Sequence, residues 1–324
     1  MEMEFKLFLL ILSVLFFALN MGGSNIAPAF AALYGAKIIK HKAAVLWFTL
    51  FVFLGGILLG FNVVKTLGNE MIPATHMSFD VVLIILISSA MGLFIANILK
   101  VPEATSWTTV FAISGVGLAL ERLNYGIYLK ILPFWIILPL LSFVSTFYLY
   151  KKIYPPSQAN LHLYQKLFSN QGKVKALALL SSFYIAFAAG TNNVANAVGP
   201  LAGAGLVDPL KGLAIVGLLF GLGGLVFGQR IMTTVGQEIV PLGLISASLI
   251  NLVTASLLIF ASVLGIPQSL VQLQALSVMA IGAIKHERHI MTQTVSRRIF
   301  LTWAITPTLA FISGFVLTKV FIGR

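Results

Sequence analysis

The sequence predicts an all-α polytopic membrane protein. It would be built from two inverted-topology repeats of about five membrane segments each, with broken or re-entrant helices at its site. Three observations predict this: composition, an internal duplication and the placement of basic residues. Of 324 residues, 59% are hydrophobic and 9% charged, and the mean hydropathy is +0.99. A soluble domain carries about 25% charged residues, so this chain belongs in a bilayer as a multi-pass protein.

The duplication emerges when the chain is laid on itself at an offset of 168 residues. Gly22 falls on Gly190, Asn25 on Asn193, Ala27 on Ala195 and Ala29 on Ala197. Gly60 then meets Gly228, Thr66 meets Thr234, Glu70 meets Glu238 and Pro73 meets Pro241. Further on the offset becomes 165, pairing Pro102 with Pro267 and Gly117 with Gly282. Two motifs that keep their spacing mark an internal repeat. The halves are 1–150 and 174–324, with 151–173 as the linker between them.

Five apolar stretches fall in each half: 5–35, 44–66, 80–99, 104–120 and 127–150, then 174–205, 212–228, 243–264, 268–283 and 299–322. Most have the roughly 17–25 residues that a crossing helix needs. The opening stretch of each half is too long for one straight crossing and contains a Gly/Asn cluster, so a helix, a break and a second helix are expected. The fourth stretches are short and polar at their start, and either span or re-enter. The first run, Leu7 to Leu19, follows Glu2 and Glu4 rather than a basic segment, so it reads as a membrane segment and not a signal peptide.

An odd number of crossings per half turns the second half upside down, and charge agrees. Lys37, Lys40 and Lys42 follow the first stretch, whereas Lys211 stands almost alone at the equivalent place. Lys285, Arg288, Arg297 and Arg298 crowd one loop, whose counterpart holds Arg122 and Lys130. With both termini outside, two thirds of the 21 basic residues lie on the inner face, as the positive-inside rule requires. The net charge of +12 therefore reflects one face of a plasma or inner membrane, not nucleic-acid binding.

Other classes are excluded in turn. There is no cysteine, hence no disulfide frame or thiolate metal site. His41, His76, His162, His286 and His289 lie in loops without zinc-like spacing, so no metal or other cofactor is expected. No Walker motif is present, and no catalytic constellation points to an enzyme. Inverted repeats with interrupted helices instead imply a secondary transporter working by alternating access.

Four polar stretches would meet at the axis. Two are the opening clusters, Gly22-Gly23-Ser24-Asn25 and Gly190-Thr191-Asn192-Asn193 with Asn196 one turn on. The other two begin the fourth stretches, Pro102-Glu103-Ala104-Thr105-Ser106-Trp107 and Pro267-Gln268-Ser269-Leu270-Val271-Gln272. Proline in a first helical turn leaves N–H groups and a partial positive charge aimed inward, suited to an oxyanion. The plainer alternative for each is back-bonding within a helix or close helix packing. From these stretches the substrate-binding residues are Gly22, Gly23, Ser24, Asn25, Thr105, Ser106, Thr191, Asn192, Asn193, Asn196 and Ser269.

The second cluster resembles the G-A-N-D-V-A-N-x-x-G-P signature of the inorganic phosphate transporter (PiT) family, and the first is a weaker copy. The family's P-x-S-T-T-H motif resembles Pro102–Trp107 and Pro267–Gln272. The resemblance covers essentially the whole chain, and implies that these segments hold the anion, with sodium beside the Asn-Asp motif. This chain departs there: the family's aspartate is Asn25 in one copy and Asn193 in the other. Losing two carboxylates removes the charge that draws a hard cation. It also removes an acceptor for the P–OH of phosphate, which sulfate lacks.

Phe16–Ser24, Val63–Thr66 and Asn192–Pro200 are similar to the sulfate-permease branch of that family. The resemblance implies uptake of sulfate or a related oxyanion, with protons as the expected coupling ion. Sodium–phosphate symport and a passive anion channel are the alternatives. Glu103 is the best placed coupling carboxyl, or else a first-turn glutamate stabilised by its helix dipole. Lys65 either attracts the anion or snorkels, and Trp107 takes the place of the family's histidine in a packing or gating role. The small-residue face Gly221–Gly228 serves either internal packing or a homodimer.

Overall fold

A computed structural model describes residues 2–99, 104–233, 243–285 and 294–323. Every regular element among them is helical. In the first half these are α1 (Glu2–Gly35), α2 (His41–Leu59), α3 (Phe61–Lys65), α4 (Phe79–Leu99), α5 (Thr105–Ala119) and α6 (Gly126–Lys151). A short α7 (Leu161–Phe168) lies in the linker. The second half comprises α8 (Gln171–Asn193), α9 (Ala195–Gly203), α10 (Pro209–Thr233), α11 (Leu244–Val263), α12 (Leu270–Ile284) and α13 (Thr294–Phe321). Eight helical spans among the described residues are long and apolar enough to cross a membrane.

The two halves interlock rather than stand side by side. α1 packs along α10 of the other half and α8 along α2, while α5 pairs with α13 and α12 with α6. The contacts are reciprocal at the level of single residues. A Cβ on Gly22 would stand 2.1 Å from the carbonyl oxygen of Phe220, and one on Gly190 would stand 2.1 Å from that of Val52. Under the repeat, Gly22 corresponds to Gly190 and Val52 to Phe220. Gly55 on Phe187 and Gly223 on Leu19 form a second such pair. Contacts that map onto themselves with the partners exchanged are the mark of a two-fold operator. At these crossings only glycine lets one backbone reach the other.

The operator also reverses direction. Asn25 on α1 meets its own counterpart Asn193 on α8. Phe30, further along α1, lies 6.2 Å from Phe183, further back along α8. The equivalent helices therefore run antiparallel where they cross. On the face that holds the α2–α4 connection, Lys6 pairs with Asp80 at 3.1 Å and Asn124 donates to the Glu70 carbonyl.

Two expectations need correction. The opening stretch of the first half is one unbroken helix through Gly22–Asn25. Its polar side chains back-bond inside the helix, Asn25 Nδ2 to Met21 O at 2.7 Å and Ser24 Oγ to the same oxygen at 3.0 Å. Its glycines serve packing. The second copy is interrupted only at Val194, whose φ of −61° and ψ of −34° remain helical. For the glycines of Gly221–Gly228, where two readings stood open, the structure shows internal packing: added Cβ atoms would strike Thr49, Leu19 or Ile26 of α2 and α1.

The fourth segments, α5 and α12, are 15 residues each. At 1.5 Å per residue they cover about 22 Å, short of the roughly 30 Å hydrocarbon core. Both begin in the protein interior with buried first turns. Arg288 and Glu238 lie outside the described residues.

Candidate anion site at the repeat axis

The polar side chains converge where α5, α8, α9 and the residues before α12 meet α1. Asn193 Nδ2 donates to Asn25 Oδ1 at 2.6 Å, and both residues are buried. Three residues on, Asn196 Nδ2 donates to Ser106 Oγ at 3.1 Å. Ser106 Oγ in turn donates to the Gln268 carbonyl at 3.1 Å. Since Ser106 lies in the first turn of α5 and Gln268 precedes the N-cap of α12, this bond ties two helix N-termini together at the centre. Each terminus carries the equivalent of about half a positive charge. Their first N–H groups lack partners within the helix.

Asn192, beside Asn193 in sequence, does something different. Its Nδ2 donates to Ser262 Oγ (2.9 Å) and Ile266 O (3.0 Å), and its Oδ1 accepts from Gln268 N (2.9 Å). All its capacity goes into holding the turn between α11 and α12. Thr191 supports the same turn, its Oγ1 bonding Ala188 O and Ser262 Oγ at 2.8 Å each. Ser269 caps α12 by accepting from Gln272 N at 3.4 Å.

Among the described residues seven buried side-chain polar atoms are left without a partner; one is Ser88 Oγ on α4, and the other six cluster here. They are Asn193 Oδ1, Asn196 Oδ1, both ends of the Gln268 amide, Gln272 Oε1 and Trp107 Nε1. An orphaned buried polar atom costs about 1–3 kcal/mol, so several together mark a place kept polar for an occupant. Trp107 stacks on Trp135 at 4.8 Å, and Trp135 Nε1 donates to Pro267 O at 2.8 Å. No charged side chain is buried among the described residues. The site therefore offers dipoles, amides and an indole N–H, but no formal charge.

Of the expected residues, Asn25, Asn193, Asn196 and Ser106 come together around these orphaned atoms. Thr105 is buried beside them at the start of α5, where its carbonyl accepts from Thr109 Oγ1. Asn192, Thr191 and Ser269 brace the site. Gly22 and Gly23 face α10, where a Cβ on Gly23 would be 2.7 Å from Phe227 Cβ. Ser24 is half-buried and bonded within its own helix. Glu103 lies outside the described residues. Lys65 pairs with Glu70 at 3.3 Å on the surface. Gln268, Gln272 and the Trp107 indole are the additions. The sequence signal for the two glutamines is an amide at each end of the short run Gln268–Gln272 that opens an apolar segment, and for Trp107 its place at the family's histidine.

A family model described as the phosphate transporter family matches this chain twice, over residues 21–166 and 157–314. Sulfate permease CysP of Bacillus subtilis is 35% identical over 317 residues, covering 96% of this chain and 87% of that protein. A solved structure of a sodium-dependent phosphate transporter superposes with a TM-score of 0.83 at 21% identity. It covers 97% of this chain and 98% of that one. That likeness extends the fold assignment to nearly the full length.

Proposed function

We propose, since this chain belongs to the phosphate transporter family and is thereby an inorganic anion transporter of the membrane rather than an enzyme, that its cargo is sulfate. Sulfate enters the cell by alternating access of the two interlocked halves, with protons as the coupling ion and both termini outside.

The carrying observation is the neutrality of the centre. Asn25 and Asn193 meet as amides where the family resemblance leads one to expect aspartates. No carboxylate is buried among the described residues. Sulfate presents acceptors only, and two helix N-termini with amide and indole donors satisfy it without a charged partner. The sulfate permease of Bacillus subtilis is the 35%-identical relative. A dianion moving into a negative interior costs about 2.3 kcal/mol per charge per 100 mV, so an electroneutral cycle takes two protons. Glu103, two residues before Thr105 in the sequence, is the proposed proton carrier.

One observation favours sodium–phosphate symport as a second reading. Four orphaned amide oxygens, on Asn193, Asn196, Gln268 and Gln272, would suit a P–OH or a sodium ion. The fold neighbour is a sodium-dependent phosphate transporter.

Uptake of labelled sulfate into proteoliposomes separates the readings. The expected result is accumulation above equilibrium under an inward proton gradient, unaffected by sodium and by equimolar phosphate. Sodium dependence with competition by phosphate replaces the first reading by the second. Uptake that never exceeds equilibrium replaces both by a passive channel.

A further inference from the structure

The seam between α6 and α12 joins the amide cluster to a basic cavity at the far ends of these helices. Along α12 and its two caps, Ser269, Leu273, Ser277, Ile281 and Lys285 recur every four residues; along α6 so do Ser142, Thr146 and Tyr150, with Tyr154 three residues past its end. Successive members of each set are neighbours one turn apart, and each set winds about its helix by about 40° per step. At mid-seam, Ser142 Oγ donates to Leu273 O at 2.8 Å and stands 2.7 Å from Ser277 Oγ. Thr146 Oγ1 donates to Ser277 Oγ at 2.8 Å. One turn further, Tyr150, Ile250, Ile281 and Ile284 form an apolar cluster separate from the main core.

Beyond that cluster opens a cavity of about 440 Å³, lined among others by Tyr154, Lys175, Ser246 and Lys285. Neither lysine is in an ion pair with a described residue. The corresponding seam of the first half, between α5 and α13, is built differently among the described residues. It closes backbone on backbone, with a Cβ on Gly115 placed 2.1 Å from Phe311 O. Ala112 stands where Ser277 stands in the second half.

We propose that this seam is the route by which the oxyanion leaves the central site for the cytoplasm. The Ser142–Thr146–Ser277 hydroxyls, bonded to one another and to Leu273 O at rest, turn their protons to the passing anion and offer an intermediate stop. The Tyr150–Ile250–Ile281–Ile284 cluster is the inner gate, dry when closed. The cavity with Lys175 and Lys285 is the vestibule, whose positive potential draws a dianion past the apolar step. This rests on the transport reading above and adds the direction and path of release.

The chain has no native cysteine, so single substitutions report access without background. In oriented proteoliposomes, Ser246→Cys should react with a membrane-impermeant thiol reagent applied on the cavity side. Ser277→Cys should react from that side about tenfold faster when sulfate exchange drives the cycle than without anion. If Ser277→Cys does not yield folded protein, Thr146→Cys reads the same seam from α6. The double variant Lys175→Gln/Lys285→Gln should raise the KM for sulfate from the cavity side about threefold to tenfold, with the outer KM unchanged. Cysteines in the seam that never label during exchange overturn the route, and an unchanged inner KM overturns the vestibule. Failure of the sulfate reading shows separately, as no sulfate uptake by the unsubstituted chain. The same two readouts with phosphate as the exchanged anion then decide the route.

Discussion

Asn193 and Asn25 occupy the same position in the two repeats and hydrogen-bond to one another, Nδ2 to Oδ1, at 2.6 Å. Two copies of one position touch only on the axis relating the copies, so this bond locates the centre of the molecule. It also fixes the cost of a carboxylate there. In Asn193→Asp, an oxygen replaces the donor facing Asn25 Oδ1 and a negative charge enters a site without cations. Like charges brought together in such a site cost several kcal/mol. Sulfate kcat/KM should fall about tenfold to a hundredfold, read by uptake into proteoliposomes. Unchanged kinetics would remove this pair from the site.

Asn192 and Gln272 should separate stability from transport. Asn192→Ala would break three buried hydrogen bonds and strand the Gln268 N–H and Ile266 carbonyl. The expected loss is about 2–4 kcal/mol, seen as a Tm lowered by about 5–10 °C. Gln272 Oε1 has no partner in a buried setting. Gln272→Leu should therefore hold or raise Tm while sulfate uptake drops about tenfold, the trade-off expected of a site kept polar for a ligand. Uptake drops because, with the orphaned oxygen, the substitution deletes the Nε2 donor that an acceptor-only anion uses. A Tm loss in Gln272→Leu equal to that of Asn192→Ala would show that its amide is structural.

The architecture was largely legible because it follows from period and composition, which a repeat displays twice. The roles of single residues were less so. Glycine before asparagine reads equally as a helix break or as a close crossing. What decides for Gly22 is the carbonyl of Phe220, which belongs to the other half and leaves no local trace. Asn192 and Asn193 are neighbours in sequence but point about 100° apart on a helix, so one braces a turn and the other meets the axis. In the run Gln268–Gln272 the hydroxyl of Ser269 is the obvious ligand in sequence, yet it caps its own helix, and the glutamines on either side carry the orphaned amides.

The paired crossings predict paired costs. Gly22→Ala and Gly190→Ala each place a methyl 2.1 Å from a carbonyl oxygen, of Phe220 and Val52 respectively. Backbone must shift in both, at about 1–3 kcal/mol each, and the two losses should agree because the contacts are related by the repeat. Gly243→Ala, with nothing within 4 Å of the new Cβ, loses only the N-cap preference for glycine at α11 and should cost no more than about 1 kcal/mol. Thermal unfolding in detergent reads all three. A tolerant Gly22→Ala beside a damaging Gly190→Ala would mean that the crossings are not equivalent.

Trp107 and Trp135 stack at 4.8 Å, yet only Trp135 uses its indole N–H, donating to Pro267 O. The Trp107 N–H is buried without a partner, which a protein tolerates where a bound acceptor supplies one. Trp107→Phe keeps an aromatic face on Trp135 and deletes only the donor. A hydrogen bond to a charged group contributes about 1.5–3 kcal/mol, so the KM for sulfate should rise tenfold or somewhat more, with Tm nearly unchanged. Trp135→Phe should show the opposite balance, losing Tm because the Pro267 carbonyl is stranded beside the α12 N-terminus. Sulfate should also alter tryptophan emission in the parent protein and not in Trp107→Phe. Retention of both the emission change and the parent KM would place the anion away from this indole, on the Asn193 side of the cluster.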